Sequence, residues 1–271
     1  MKIAVAGKGG VGKTLIASGI AWSLARSGHT TIAIDADPSP NLALSLGIPE
    51  KDAATIVPIS ENDSLIRRKT STGFPGVYNL NFSVDEVVRD FSLATPTGVH
   101  LLVMGTVKSM GSGCTCPANS LIRTLLRHLV IERDEAVVLD MEAGIEHLGR
   151  GTAEGVDMML VVTDANKKSL EVAATIRRMA LDFGIPRVEL AGNRIASDAE
   201  KKAIVRFAQE HTMPVIGFIP FDPDVFSAGI RGEPVTALHG TPALSSIEEI
   251  TTKITHIIDG KNRNPTRSMH T

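Results

Sequence analysis

A glycine-rich segment near the start of the chain could bind phosphate groups. It follows the apolar run Lys2–Ala6 and consists of Gly7, Lys8, Gly9, Gly10, Val11, Gly12, Lys13 and Thr14. The spacing fits the Walker A pattern, in which backbone N–H groups of a loop and helix N-terminus converge on phosphate oxygens. In that pattern the last lysine meets the β- and γ-phosphates, and the hydroxyl after it binds Mg²⁺. We therefore predict a nucleotide site in which Lys13 contacts phosphate and Thr14 contacts magnesium.

Acidic residues at the ends of two other apolar runs could serve the same site. Asp35 is the last residue of the run Thr31–Asp35, and Asp37 comes two residues later. Asp140 is the last residue of the run Ala136–Asp140. An aspartate at the end of a buried strand can hold Mg²⁺ through water, as a Walker B residue does. We therefore expect Asp140 to be the second magnesium partner.

The two cysteines of the chain, Cys114 and Cys116, are separated by one residue. This spacing is poor for a structural disulfide in a large cytosolic domain. Two thiolates suit a soft metal such as nickel, zinc or copper(I) but leave its coordination shell incomplete, so a dimer would have to supply two more. We therefore predict nickel or zinc at a dimer interface; the alternative is that both are small buried apolar residues.

Seven short apolar runs should position these residues. They are apolar on both faces and alternate with amphipathic stretches, which indicates a parallel sheet covered on both sides. The predicted strands are Lys2–Ala6, Thr31–Asp35, Val99–Met104, Ala136–Asp140, Met158–Thr163, Val188–Asn193 and Val215–Pro220; the predicted helices are Lys13–Ser27, Ser120–Ile131, Lys167–Phe183, Asp198–His211 and Pro242–Ile258. The predicted fold is an α/β P-loop NTPase with a mostly parallel, doubly wound sheet.

The 271 residues are expected to form one P-loop ATPase domain over residues 1–258. Residues from about 50 to 98 break the alternation of strands and helices with scattered proline, glycine and charge, and we predict an insertion or lid there. Residues 259–271 lack apolar periodicity and are predicted to be a flexible tail.

Composition and charge exclude several classes of partner. The formal net charge is -2, which gives no overall attraction to DNA or to an anionic membrane. No uncharged apolar run approaches the roughly 20 residues needed to cross a bilayer. The first residues lead straight into the glycine-rich loop, which leaves no room for a signal peptide. We expect a cytoplasmic protein with neither nucleic acid nor membrane as a partner.

The loop sequence Lys-Gly-Gly-Val-Gly-Lys-Thr, residues 8–14, resembles the deviant Walker A loop of the ParA/MinD and nitrogenase iron-protein superfamily. The resemblance implies that ATP closes two subunits face to face and that Lys8 reaches the partner's nucleotide, as an arginine finger does. It also implies that Asp37 positions the attacking water while Asp35 supports the loop. The alternatives are a solvated surface lysine and a turn-forming aspartate before proline.

The resemblance also places adenine between the ends of the last two strands. It implies contacts from Asn193, Arg194, Pro220 and Asp222. These residues lie at the carboxyl ends of the strands, where open α/β sheets bind ligands. An asparagine side chain can both donate a hydrogen bond to a base and accept one from it. The alternative is that Asn193 and Asp222 stabilise their loops.

Further segments resemble the CooC-type maturation ATPases of carbon monoxide dehydrogenase. These are the Cys-x-Cys pair ahead of a helix and residues 140–148, 150–153 and 156–159, within a likeness extending from Met1 to about Ile258. The resemblance implies a homodimer, promoted by ATP and metal, that delivers nickel to the apo form of that dehydrogenase. His147 lies just after the second switch and is either a further nickel ligand or a residue with a bland role, in the switch helix or in a satisfied polar contact.

Two alternative functions are a ParA/MinD-like partitioning or positioning ATPase and an electron donor like the nitrogenase iron protein. The acidic balance disfavours the first. The second needs two well-separated cysteines in each subunit, whereas the thiols here lie together.

Overall fold

The computed structural model describes residues 1–37, 41–70, 84–105, 117–131, 135–141, 153 and 155–262. An eight-stranded sheet runs through them in the order β3-β4-β2-β5-β1-β6-β7-β8. The strands are β1 Lys2–Gly7, β2 Thr31–Ala36, β3 Leu93–Ala94, β4 His100–Val103, β5 Ala136–Met141, β6 Met158–Thr163, β7 Val188–Ile195 and β8 Val215–Pro220. All neighbours pair in parallel except β3 and β4. The predicted parallel α/β fold is confirmed.

Helices cover both faces of the sheet. They are α1 Lys13–Arg26, α2 Leu42–Ser45, α3 Glu50–Ala53, α4 Asp63–Thr70, α5 Val84–Phe91, α6 Pro117–Ile131, α7 Lys167–Asp182, α8 Asp198–Glu210, α9 Pro223–Arg231 and α10 Pro242–Asn262. One apolar cluster joins the sheet to α6, α7 and α8, and a second joins it to α1 and α10. Every residue of β1, β2, β5 and β6 is buried, which explains why these strands are apolar without alternation.

Three described elements of the predicted insertion, the 3₁₀ turn, α4 and α5, pack against α6. The described part of the insertion contains α3, this 3₁₀ turn at Ile59–Glu61, α4, α5 and the edge strand β3. Ile59, Leu65 and Val88 lie in the same buried cluster as Leu125 of α6. Residues 71–83 lie outside the described residues, and a role as a lid stays a prediction.

The C-terminal end of α6 is fixed to the start of β1 by one lysine. Lys2 is 5 % exposed, and its Nζ donates to the carbonyl oxygens of Leu129 and Glu135, each at 3.0 Å. Since this places the end of α6 at the amino edge of the sheet, the helix begins toward the carboxyl edge.

The longest described helix, α10, continues to Asn262, four residues past its predicted end at Ile258. Residues 263–271 of the predicted tail lie outside the described residues. Among the helices described, none combines the length and the apolar character that a membrane span requires.

Candidate nucleotide site

The glycine-rich loop joins β1 to α1 at the carboxyl edge of the sheet, where parallel α/β sheets bind ligands. Gly7 has φ +150°, and a Cβ there would overlap the carbonyl oxygen of Val162 on β6. Gly12 has φ +94° and precedes α1, whose first N–H groups receive no side-chain cap. Position 7 therefore needs glycine, because the loop passes close to the backbone of β6. The start of α1 presents unsatisfied N–H groups of the kind that bind phosphate.

The two loop lysines have different surroundings. Lys13 is 7 % exposed, and its Nζ lies 3.4 Å from the carbonyl oxygen of Lys8. The Lys8 side chain is half-buried, and among the described residues its ammonium has neither a hydrogen bond nor an ion pair. Lys13 is thus held within its own loop, whereas no described residue holds the Lys8 ammonium.

Asp140 is a buried carboxylate beside this loop. It pairs with Val5 in the sheet and is 1 % exposed, and neither carboxylate oxygen has a hydrogen-bond partner within the described residues. Burial raises the pKa of Asp140 to about 7, against the opposing effects of the Thr14 hydroxyl and the Lys13 ammonium. A buried carboxylate without a partner is costly unless it binds a cation. The donor set of Asp140 and Thr14 fits a hard cation such as Mg²⁺.

This raised pKa predicts an unusual pH dependence of stability without nucleotide and magnesium. The folded carboxyl titrates near pH 7 and an ordinary aspartate near 3.8. Its contribution to the free energy of unfolding is therefore fully present below about pH 4 and is lost as the pH rises through 7. We expect Asp140→Asn to match the wild type in urea unfolding at pH 4 and to be a few kcal/mol more stable at pH 8. Parallel pH profiles for the two proteins would contradict this.

Asp35 holds the segment that follows β2. Its side chain is fully buried and accepts hydrogen bonds from the backbone N–H groups of Asp37 at 3.2 Å and Leu42 at 3.0 Å. Burial raises its pKa to about 6 in spite of these bonds. The expected supporting role of Asp35 is confirmed. Asp37 lies near enough to Asp140 to raise its pKa, and its role in positioning water stays a prediction.

A cavity of about 390 Å³ lies beside Gly12, between the ends of β7 and β8. Its lining includes all four residues expected to flank adenine: Asn193, Arg194, Pro220 and Asp222. It also includes Phe221 and Phe226, which the sequence did not single out. Apolar walls with a few polar groups are typical of a small-molecule pocket.

Two of these four residues, Asn193 and Asp222, also make hydrogen bonds to the backbone that hold neighbouring segments in place. The carboxylate of Asp222 accepts from the backbone N–H of Asp224 at 3.0 Å and of Ala243 at 3.1 Å, so it caps both α9 and α10. The Asn193 Nδ2 donates to the carbonyl oxygen of Val11 at 2.7 Å. Their contacts with adenine stay predictions, and the stabilising alternative has direct geometric support.

Cys114, Cys116 and His147 lie outside the described residues. Within the part of the chain that is described, no three His, Cys, Asp or Glu side chains group as metal ligands would. The helix that follows the cysteines, α6, begins toward the same edge of the sheet as the glycine-rich loop. The predicted metal pair therefore precedes an element that starts on the nucleotide side of the molecule.

Comparison with known proteins identifies the family of the chain. Residues 2–235 match the CobQ/CobB/MinD/ParA nucleotide binding domain. The carbon monoxide dehydrogenase accessory protein CooC of Rhodospirillum rubrum is 42 % identical over 236 residues, which are 86 % of this chain and 88 % of that protein. An uncharacterized ATP-binding protein of Methanocaldococcus jannaschii is 40 % identical over 97 % of this chain and 99 % of its own length.

Solved structures of other proteins have a similar fold. The MinD cell division protein of Aquifex aeolicus has a TM-score of 0.67 at 20 % identity, covering 94 % of this chain and 97 % of that one. MinD of Pyrococcus horikoshii, complexed with Mg-ADP, has a TM-score of 0.67 at 16 % identity, covering 96 % and 97 %. The chain therefore belongs to the CobQ/CobB/MinD/ParA nucleotide-binding family and, within it, to the CooC-type ATPases.

Proposed function

We propose that the protein is a metallochaperone that binds and hydrolyses ATP as a homodimer and delivers nickel to the metal cluster of apo carbon monoxide dehydrogenase. The observation that carries this proposal is the 42 % identity with an accessory protein of that dehydrogenase over 86 % of the chain. The glycine-rich loop and the Cys-x-Cys pair, one suited to a nucleotide and the other to a soft metal, support it.

The nucleotide would bind along the loop from Gly7 to Thr14. Backbone N–H groups and Lys13 would hold the phosphates, and the base would enter the cavity beside Gly12. Thr14 and Asp140, the latter through water, would hold magnesium, which neutralises charge on the phosphates. The orphaned carboxylate oxygens of Asp140 support this assignment.

Hydrolysis would need groups from both subunits. Lys8 would reach the partner's nucleotide and offset charge developing on the γ-phosphate, and Asp37 would position the attacking water. The half-buried Lys8 ammonium, which no described residue pairs, supports the first role. Asp37 stands at the end of β2, next to the strand of Asp140, which supports the second.

Nickel is the cargo in this proposal. Cys114 and Cys116 of each subunit would supply four thiolates at the two-fold axis, a set that suits nickel or zinc. Because α6 starts on the nucleotide side of the sheet, closure of the dimer by ATP would act on the metal ligands as well.

The test is activation of apo-dehydrogenase by nickel, the protein and ATP. We expect Lys8→Ala to bind ATP nearly as well as the wild type, but to dimerise poorly with ATP and to hydrolyse it about 100-fold more slowly or worse, because a trans cation typically contributes at least that much. Activation of the dehydrogenase should fall with hydrolysis. Sedimentation, phosphate release and carbon monoxide oxidation are the three measurements.

Lys202→Ala is the matched control, since it removes an exposed lysine from α8 on the outer surface. Wild-type hydrolysis and dimerisation by Lys8→Ala would refute the cross-subunit role. ATP-dependent binding of the wild type to DNA or liposomes, with no activation of the dehydrogenase, would favour a ParA/MinD-like partitioning or positioning ATPase instead.

A further inference from the structure

Large apolar side chains surround the mouth of the cavity at the ends of β7 and β8. Phe221, Phe226 and Ile230 are 48 %, 62 % and 75 % exposed, and all three belong to the lining of that cavity. Only two further large apolar side chains of the described residues are exposed, Val57 and Leu181. Single exposed apolar residues are ordinary, but a cluster of three at one opening indicates a binding surface.

Helix α9 covers one side of this cavity and is fixed mainly at its two ends. The Asp222 carboxylate accepts from a backbone N–H of the first turn at 3.0 Å, and Gly232 ends the helix in the left-handed conformation, with φ +66°. Of the nine helical residues, all of them described, Ala228 alone is buried. Val225 and Gly229 line the cavity, so this side of α9 faces open space where a ligand can lie.

The backbone holds both phenylalanine residues at this opening. The Phe221 N–H donates to the carbonyl oxygen of Ile195 at 2.9 Å, at the irregular end of β7, where the pairing with β8 shifts register. The Phe226 N–H donates to the carbonyl oxygen of Asp222 at 3.1 Å, within the first turn of α9. A phenylalanine ring has only two side-chain torsions, so a ring on a fixed backbone loses little entropy when it contacts a flat ligand.

A nucleobase is the occupant that suits this cavity. The lining includes Gly12, the last residue before α1, so the cavity adjoins the part of the loop that would bind phosphates. Within the described residues, Asn193 gives one N–H to the Val11 carbonyl, and its Oδ1 and second N–H have no partner, so it can bind the edge of a base. An aromatic ring binds the flat face instead, which every base has.

We propose that Phe226, together with Phe221, stacks on the face of the nucleobase and closes the cavity over it, so that nucleotide binding buries the two exposed rings. This inference rests on the proposed ATP binding and adds a contact whose strength does not depend on which base is bound. Discrimination between bases stays with groups that meet the base edge, such as Asn193. Loss of the Phe226 ring therefore weakens adenine and guanine nucleotides by the same factor and leaves ligands without a base unaffected.

The test compares ADP, GDP and inorganic pyrophosphate, each with magnesium, by calorimetric titration of the wild type, Phe226→Ala and Phe226→Tyr. Diphosphates are used because the proposed dimer closes with ATP, so dimerisation does not enter these affinities. We expect Phe226→Ala to bind ADP and GDP about tenfold more weakly, with an unchanged ratio between them, and to bind pyrophosphate as the wild type does. Phe226→Tyr keeps an aromatic ring and should bind all three ligands with wild-type affinity.

Leu181→Ala is the matched control, because it removes another exposed apolar side chain, from the last turn of α7. Its affinities should equal those of the wild type. If Phe226→Ala loses pyrophosphate and ADP affinity equally, the ring acts through the fold and the inference is wrong. Unchanged ADP affinity also refutes it, and a simultaneous loss of ATP-dependent dimerisation in sedimentation would assign the cluster to contact with a second copy. A wild type that binds none of the three ligands would instead refute the proposed ATP binding.

Discussion

Lys13→Ala should bind MgATP at least about 100-fold more weakly than the wild type. The Lys13 ammonium is buried at the base of the loop, where it makes one hydrogen bond of 3.4 Å to the Lys8 carbonyl. Bound phosphates would replace that long bond with charge-assisted bonds, each typically worth about 1.5–3 kcal/mol. Calorimetric titration with MgATP at pH 8 measures the loss, and Lys8→Ala provides the comparison within the same loop.

The choice of pH matters for this comparison. The Lys13 ammonium is one of the groups that lower the pKa of Asp140, so Lys13→Ala should raise that pKa further and impair magnesium binding near neutrality. At pH 8 the carboxylate of the wild type is mostly ionised, and far-ultraviolet circular dichroism confirms whether the variant is folded. Tight ATP binding by a folded Lys13→Ala protein would contradict the prediction and show that the glycine-rich loop is not the nucleotide site.

The double substitution Cys114→Ala with Cys116→Ala should abolish binding of one nickel or zinc ion per dimer. Two thiolates per chain leave a soft divalent ion under-coordinated, so the proposed site would be complete only in the dimer. Metal should therefore stabilise the wild-type dimer even without nucleotide, by mass action, and should have no effect on the double variant. Metal titration and sedimentation, followed in parallel, measure both effects.

Nucleotide binding should survive this double substitution, because the glycine-rich loop is built from β1 and α1 without the cysteines. Acidification should release metal from the wild type, since protons compete for thiolates. One metal ion per dimer bound with similar affinity by the double variant would overturn the Cys-x-Cys site and, with it, most of the nickel-delivery proposal.

The sequence predicted the central strands well because their environment is uniform. β1, β2, β5 and β6 are buried on both faces, so each one is a continuous apolar run. The same reasoning placed Asp140 at the end of β5, next to the loop. Spacing alone was enough because the carboxyl ends of parallel strands meet at one edge.

The short helices were missed because their stability depends on packing. Helices α2 to α5 have four to eight residues, too short for a reliable 3.6-residue period. Helix α9 carried recognisable signals that went unused: Asp222 as N-cap, Pro223 at the first position and Gly232 after the end. Those signals would also have identified Asp222 as a capping residue.

The bond between Asn193 and Val11 joins residues 182 positions apart. No local pattern encodes such a contact, because it depends on the strand order and on the irregular end of β7. The sequence could therefore indicate that Asn193 lies at the ligand-binding edge, but it could not indicate its bond to the glycine-rich loop.

The attachment of Lys2 has a mechanical consequence for α6. Its ammonium fixes the last turn of the helix to the strand that carries the glycine-rich loop, so that end would stay in place if the helix tilted. The helix has 15 residues and is therefore about 22 Å long. Moving its first turn by about 1 Å then needs a tilt of only about 3° around that end, given that length. A small displacement of the residues next to the cysteines would therefore tilt the whole of α6 as a rigid body, while the sheet and the C-terminal end of the helix stay in place.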